Sequence, residues 1–382
     1  MSPTVPSLRQ ALAELPDFRQ ARGRRYELLP ILLLVCVAML CGYSSQSAIA
    51  QWGQNYGDHW LKRLGFTGKR APSQSTLHRI FDGIDHRRLE AILAHWAEAW
   101  LRALAGAARL QAVAIDGKTL SASHKSGSQT AHLLASLSHH LSLVLAQAGV
   151  NDKRNEISRA DDLLAMLVLE GKIITADAML TQRRISQQIR KGGGHYLLVV
   201  KQNQPSLLDD CRMAFCQLPR LAETRREAAL TRRAKSCTEH GGRLEERHLK
   251  ASSILDGQTT WPGLRQVLQL KRKVTHKRRG TGWQETAYAI TSLGAEQASA
   301  GELLELWRGH WGIENRLHWV RDVQYREDKL AVRKGHIPQV MAAFKNAVLS
   351  LMRLRGEANI AAACRRYAAQ PESALAAVGI LT

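Results

Sequence analysis

Three carboxylates stand where folding alone gives little reason for them. Asp116 closes the apolar run Val113-Ala114-Ile115, and Asp177 closes Ile173-Ile174-Thr175-Ala176. Both runs read as buried strands. An unpaired buried carboxylate is costly, and α/β proteins place reactive groups at strand ends. Each aspartate also has an ordinary alternative, because Asp caps turns and helices and Asp116-Gly117 suits a turn. The third acid, Glu314, lies in ELWRGHWGIENRLHWVR, from Glu305 to Arg321. A helix there brings Trp307, His310, Glu314, Leu317 and Arg321 near one stripe. That mixture is not a plain core face. Its ordinary alternative pairs Glu314 with His310 or His318 one turn away, worth about 0.2–0.5 kcal/mol.

Carboxylates drawn together repel by about 4 kcal/mol per pair at about 4 Å and an effective dielectric of about 20. A cation relieves that cost, and hard oxygen donors select Mg²⁺ or Mn²⁺. Two such ions about 3.5–4 Å apart support in-line displacement at phosphorus by a water or a 3′-hydroxyl. No serine or tyrosine nucleophile is then needed. Asp116, Asp177 and Glu314 are therefore the expected catalytic and metal-holding residues, with two ions.

The surrounding elements are legible as patterns. Residues 1–108 read as an all-helical domain, with helical spacing in Leu8–Leu15, Tyr26–Leu40, Ala48–Trp52 and Leu89–Leu104. Arg19, Arg22, Arg24, Arg25, Lys62, Arg63, Lys69 and Arg70 lie between these stretches. They fit either a DNA-reading surface or a solvated basic one. From residue 110 the texture changes to strands over Gln111–Ile115, His132–Leu137 and Leu141–Ala146. A helix over Asp161–Leu169, a strand over Lys172–Ala176, a helix over Thr181–Arg190 and a strand over Tyr196–Val200 follow. This order suits a mixed sheet with helices packed on it. The segment 202–298 reads as a β-rich basic insertion, with strands at Leu264–Val274 and Trp283–Ser292. Its cations Lys271, Arg272, Lys273, Lys277, Arg278 and Arg279 are expected phosphate contacts. Helices return over Gly301–Arg321 and Pro338–Arg355, and residues 357–382 form a tail.

The bulk numbers agree with an anionic partner. Lys and Arg number 54 against 33 Asp and Glu, a formal charge of +21. That field favours a polyanion, DNA or RNA first, although ribosomal and membrane-surface proteins share it. The apolar run Leu28 to Cys41 has 14 residues, short of the roughly 20 a membrane span needs. It reads as a buried helix, and no membrane partner is expected. The six cysteines form no CxxC pair. They suit reduced thiols in a cytoplasmic protein.

At these residues the chain resembles the DDE transposases of bacterial insertion sequences, in the branch of H-repeat-associated proteins. The resemblance rests on AIDGKTL at 114–120, NEI at 155–157, ITADAMLTQ at 174–182, LLVVKQNQP at 197–205 and HWGIENRLHWVRDVQYREDK at 310–329. LPDFRQARGRRYELLPILLLVCVAMLCG at 15–42 resembles the branch's N-terminal domain. The resemblance implies an α/β fold with an RNase H-like mixed-sheet catalytic core, interrupted by the insertion. The core would span 109–201 and 299–356. The resemblance makes Asp116, Asp177 and Glu314 the three metal ligands.

Related transposases carry Y-x2-R-x3-E-x6-K around the glutamate. Here Trp307, His310 and Arg321 take the outer places, and they are expected DNA contacts together with Lys201. The segment SASHKSG at 121–127 departs from the family's usual sequence. The implied activity is binding of terminal inverted repeats, metal-dependent phosphodiester hydrolysis and strand transfer, with a homodimer forming on DNA. Two alternatives stay open at this point: an inactive or domesticated DNA-binding relic, and another RNase H-like nuclease.

Overall fold

The computed structural model describes residues 5–22, 24–104, 110–119, 132–150, 156–221, 230–278, 280–329 and 335–380. The chain opens with α1 (Leu8–Ala13), α2 (Leu28–Leu40), α3 (Gln46–Leu64), α4 (Gln74–Gly83) and α5 (His86–Leu104). Then come β1 (Gln111–Thr119), β2 (His132–Ser138), β3 (Val144–Val150), α6 (Glu156–Ala165), β4 (Lys172–Ala176), α7 (Arg183–Lys191) and β5 (His195–Val200). The insertion holds α8 (Pro205–Leu221), β6 (Thr231–His240), β7 (Arg243–Ser252), β8 (Gln266–His276) and β9 (Thr281–Thr291). The chain closes with α9 (Ala300–His310), α10 (Trp319–Val323), α11 (Ile337–Leu354), α12 (Ile360–Ala369) and α13 (Pro371–Val378). The segment 121–127, Arg279 and Asn155 of the NEI motif lie outside the described residues.

Two compact units divide the chain. The first takes residues 1–108, 117–167 and 312–382, and the second 109–116 and 168–311. In the first, α2 is the centre. Every side chain from Ile31 to Leu40 is at most 2% exposed, which explains a helix apolar on all sides. It packs against α1, α3, α11, α12 and α13. No helix among the described residues is long and apolar enough to cross a membrane. The β2–β3 hairpin is covered by α5, α6 and α11. The tail, which showed little pattern, forms α12 and α13. It buries Ile360, Cys364 and Tyr367 and bonds Cys41 Sγ to the Tyr367 carbonyl at 3.3 Å.

The second unit is built on a mixed sheet whose strands follow the order β1-β4-β5-β9-β8-β7-β6. β1, β4 and β5 run parallel, and the remaining neighbours pair antiparallel. The parallel strands are buried on both faces, as β4 shows at every residue, so their sequences are continuous apolar runs rather than alternating ones. Helix α9 lies on β4, β6 and β7. It closes a core of Leu197, Leu249, Leu268, Leu270, Leu303 and Trp307. The fold is thus the expected α/β arrangement, with a helical N-terminal region and a large mixed sheet.

Candidate active site

Parallel pairing places the two aspartates together. Val113 stands beside Ile174, Ala114 beside Thr175 and Ile115 beside Ala176. Asp116 and Asp177 are the next residues along the two stretches of chain. Neighbouring strands lie about 4.8 Å apart, and matched positions share a face. β1 runs on to Thr119, so Asp116 sits within its strand and does not end it. Asp177 leaves β4 at its C-terminal end, as the sequence suggested, and is the first residue of a short turn. Both side chains are half-buried.

Two groups from neighbouring elements address this pair. Lys201, just past the end of β5, brings Nζ to 3.0 Å from Asp177 Oδ1 and 3.2 Å from Oδ2. With 61% and 50% exposure, this pair is an open, solvent-screened contact. His310 closes α9 and is buried. Its Nδ1 shares a 3.2 Å hydrogen bond with the Thr175 hydroxyl. Burial holds the imidazole below its usual pKa, and the nearby charges of Asp116 and Asp177 oppose that shift. His310 therefore braces the strand that carries Asp177 and senses both carboxylates. Sequence reasoning passed over Thr175, although a lone polar residue in an apolar strand was the available signal.

The donor chemistry fits a hard divalent cation. Partly solvated carboxylates on neighbouring strands supply the anionic oxygens that Mg²⁺ or Mn²⁺ prefers.

Glu314 belongs to the other unit. It is exposed and begins a π-helical turn, Glu314–His318. The expected continuous helix from Gly301 to Arg321 is therefore broken: α9 stops at His310, the wide turn follows, and α10 resumes at Trp319. A π turn adds a residue per turn, so the predicted stripe does not persist across it, and such turns often mark functional positions. Leu317 and His318 are buried beneath Glu314.

Several expected contacts with DNA have other places. Trp307 is 4% exposed and packs in the sheet core. Arg321 is fully buried. Its Nε donates to Glu327 Oε2 at 2.7 Å, and Lys345 Nζ reaches Glu327 Oε1 at 3.0 Å. This ion cluster replaces the expected phosphate contact, because a guanidinium with no exposed surface cannot meet DNA without leaving its carboxylate. Burial raises the Glu327 pKa, but Arg321 and Lys345 overcome it and hold the carboxyl at about 2. Nearby, Lys118 of the AIDGK motif is also buried and binds Asp322.

The basic run of the insertion is split by strand alternation. Lys271 and Lys273 are exposed on one face of β8. There the cross-strand row joins Lys271 to His248 and Lys235, and the next joins Lys250 to Arg233. Burial first, then Arg233 and Lys271, keep the Lys250 pKa below its usual value. Arg272 points to the opposite face. There it binds Glu245, meets Glu285 at 3.0 Å and lies 5.0 Å over the Trp283 ring. Lys277 pairs with Glu239 at 2.6 Å, and Arg278 is exposed.

Comparison with known proteins completes this picture. A family model described as DDE_Tnp_1-associated matches residues 9–97, and one described as transposase DDE domain matches residues 108–351. The protein YbfL of Escherichia coli K12 is 30% identical, over 91% of this chain and 90% of its own. A second relative from the same strain is named "H repeat-associated putative transposase YhhI". It is 29% identical over 91% of this chain and 90% of its own. Among solved structures, the cryo-EM structure of the piggyBac transposase synaptic complex with hairpin DNA aligns over 97% of this chain and 77% of that one. Its sequence identity is 8% and its TM-score 0.43.

Proposed function

This chain belongs to the DDE transposase family, and from that premise we propose that it is a metal-dependent transposase acting on the ends of its own DNA element. The observation that carries the reading is the register of β1 on β4, which pairs Ile115 with Ala176, the residues immediately before Asp116 and Asp177. Asp116 and Asp177 would hold the divalent ions, with Glu314 as the third carboxylate. Bound Mg²⁺ or Mn²⁺ supplies Lewis-acid stabilisation of charge at the scissile phosphodiester.

The chain's own residues supply the rest. Strand pairing fixes the two aspartates before substrate arrives, so little reorganisation is needed in the reaction. Lys201 restrains Asp177 and offers an ammonium towards a phosphate oxygen. His310 anchors β4 through Thr175. Lys271, Lys273 and Arg278 of the insertion provide sequence-independent phosphate contacts. Cleavage followed by strand transfer, and two chains meeting on paired ends, complete the proposal.

A nicking assay on element-end DNA in Mg²⁺ tests it. Asp116→Asn and Asp177→Asn are expected to reduce nicking by about 10²–10³-fold or more, with DNA affinity retained. Glu314→Gln is expected to behave alike. Full activity in any one variant removes that residue from the site.

A further inference from the structure

The first unit carries a cleft that the catalytic reading does not use. It has a volume of about 720 Å³, within the range of ligand-binding pockets. Six arginines line it: Arg19, Arg22, Arg24, Arg25, Arg70 and Arg79. No carboxylate, and no lysine, lies among the lining residues.

Specific contacts build this cleft from separate stretches of chain. Arg19 binds Asp17 at 2.8 Å and donates to the Tyr26 carbonyl at 2.8 Å. Arg24 Nε donates to the Arg19 carbonyl at 2.8 Å. These bonds tie the two ends of the segment before α2 together. The Tyr26 hydroxyl then reaches the Ala71 carbonyl at 3.3 Å, next to Arg70. Phe18 packs against Gly83, where an added Cβ would lie 2.2 Å from the ring. That contact seats the same segment on α4, the helix that carries Arg79. Ser73 caps α4 and lines the cleft with Thr76, adding the positive end of a helix.

Asp17 pairs with Arg19 and, at 3.6 Å, with Arg24. With that one carboxylate for six arginines, the other four guanidinium groups, Arg22, Arg25, Arg70 and Arg79, repel one another, a cost that a bound anion removes. A planar fork of N–H donors matches the two free oxygens of a phosphate, which a lysine ammonium meets only as a point charge. Phe18 is 45% exposed at this cleft and offers a ring face for a base. We propose that this arginine cleft is a phosphodiester-binding site, holding the DNA backbone on the helical unit. The proposal deepens the transposase reading and rests on its choice of DNA as partner.

The test uses the full chain and fluorescence anisotropy with labelled oligonucleotides across a salt series. Arg22, Arg70 and Arg79 are exposed, so the triple variant Arg22→Ala, Arg70→Ala, Arg79→Ala should fold. It is expected to weaken binding on the order of 100-fold, and to reduce the slope of log K against log salt by roughly three. A control triple, Lys191→Ala, Arg212→Ala, Arg365→Ala, removes the same charge elsewhere and should change affinity less than about 3-fold. Equal losses in the two triples, or none in the first, overturn the proposal. If the cleft triple does not fold, Arg79→Ala alone decides, with an expected slope change of about one. Duplex DNA, single-stranded DNA and free pyrophosphate are compared as phosphate sources. Pyrophosphate binding lost in the triple, with DNA affinity unchanged, also overturns it. Nicking is read separately. A chain that binds DNA through the cleft but never nicks sinks the catalytic reading and leaves the cleft standing.

Discussion

Glu90 shows what a single buried acid costs this chain. Its Oε1 accepts hydrogen bonds from Gln147 Nε2 at 2.7 Å and Gln339 Nε2 at 2.8 Å. Burial outweighs those bonds and lifts its pKa from 4.5 to about 7. The folded carboxyl therefore holds its proton where the unfolded one has released it. Its stabilising contribution is complete below about pH 4.5 and is lost as pH rises through about 7. The shift corresponds to about 3 kcal/mol. Glu90→Gln keeps both accepted bonds, so urea unfolding should find the variant more stable than the parent at pH 8 and similar at pH 4.5. Glu327 has the opposite sign. Held at about 2 by Arg321 and Lys345, it stabilises above about pH 4.5 and loses that effect as pH falls towards 2. Glu327→Ala strands two buried cations and should cost about 3–5 kcal/mol at pH 7 in the same measurement. A cost below about 1 kcal/mol would show that the cluster is not closed in solution.

At the scale of the element, alternation decides which basic residues of the insertion can meet DNA. Lys271 and Lys273 share a largely basic face with Lys235, Lys250 and Arg233, where Glu246 stands opposite Lys273, whereas Arg272 is committed to Glu245 and Glu285. Lys271→Ala with Lys273→Ala should lower the salt dependence of DNA binding by roughly two and leave the melting temperature unchanged. Arg272→Ala should leave that slope unchanged and cost about 1 kcal/mol of stability. Equal effects of the two would mean that the ribbon does not hold this register when DNA is bound. The π turn at Glu314–His318 is the other decision of this kind. It begins at Glu314 and resets the helical register of the residues that follow, so Glu314 stays exposed while Leu317 and His318 are buried.

For the whole molecule, charge and chemistry are separable. A net +21 should give DNA affinity that falls steeply with salt, whether or not metal is present. Chelation of divalent ions by EDTA should therefore stop nicking and leave DNA binding within a few-fold. Loss of both together would indicate that the metal organises the DNA-binding surface as well as the reaction centre.

Local pattern was enough to reveal the strands of the parallel core, the buried α2 and the basic character of the chain. Apolar runs and helical spacing are properties of neighbouring residues, and burial imposes them residue by residue. β6 and β7 were invisible, because each strand is polar or half-exposed along most of its length and carries no apolar signal. The motifs around Asp116, Asp177 and Glu314 identified the family by themselves. Pairing, however, is a long-range choice. That Ile115 pairs with Ala176 just ahead of Asp116 and Asp177, that Thr175 meets His310, and that Arg321 turns inward to Glu327 depend on which strands and helices become neighbours. Residue order states which groups are available. Only the packed chain determines which of them are desolvated, paired or left facing water, because those energies arise between segments far apart in sequence.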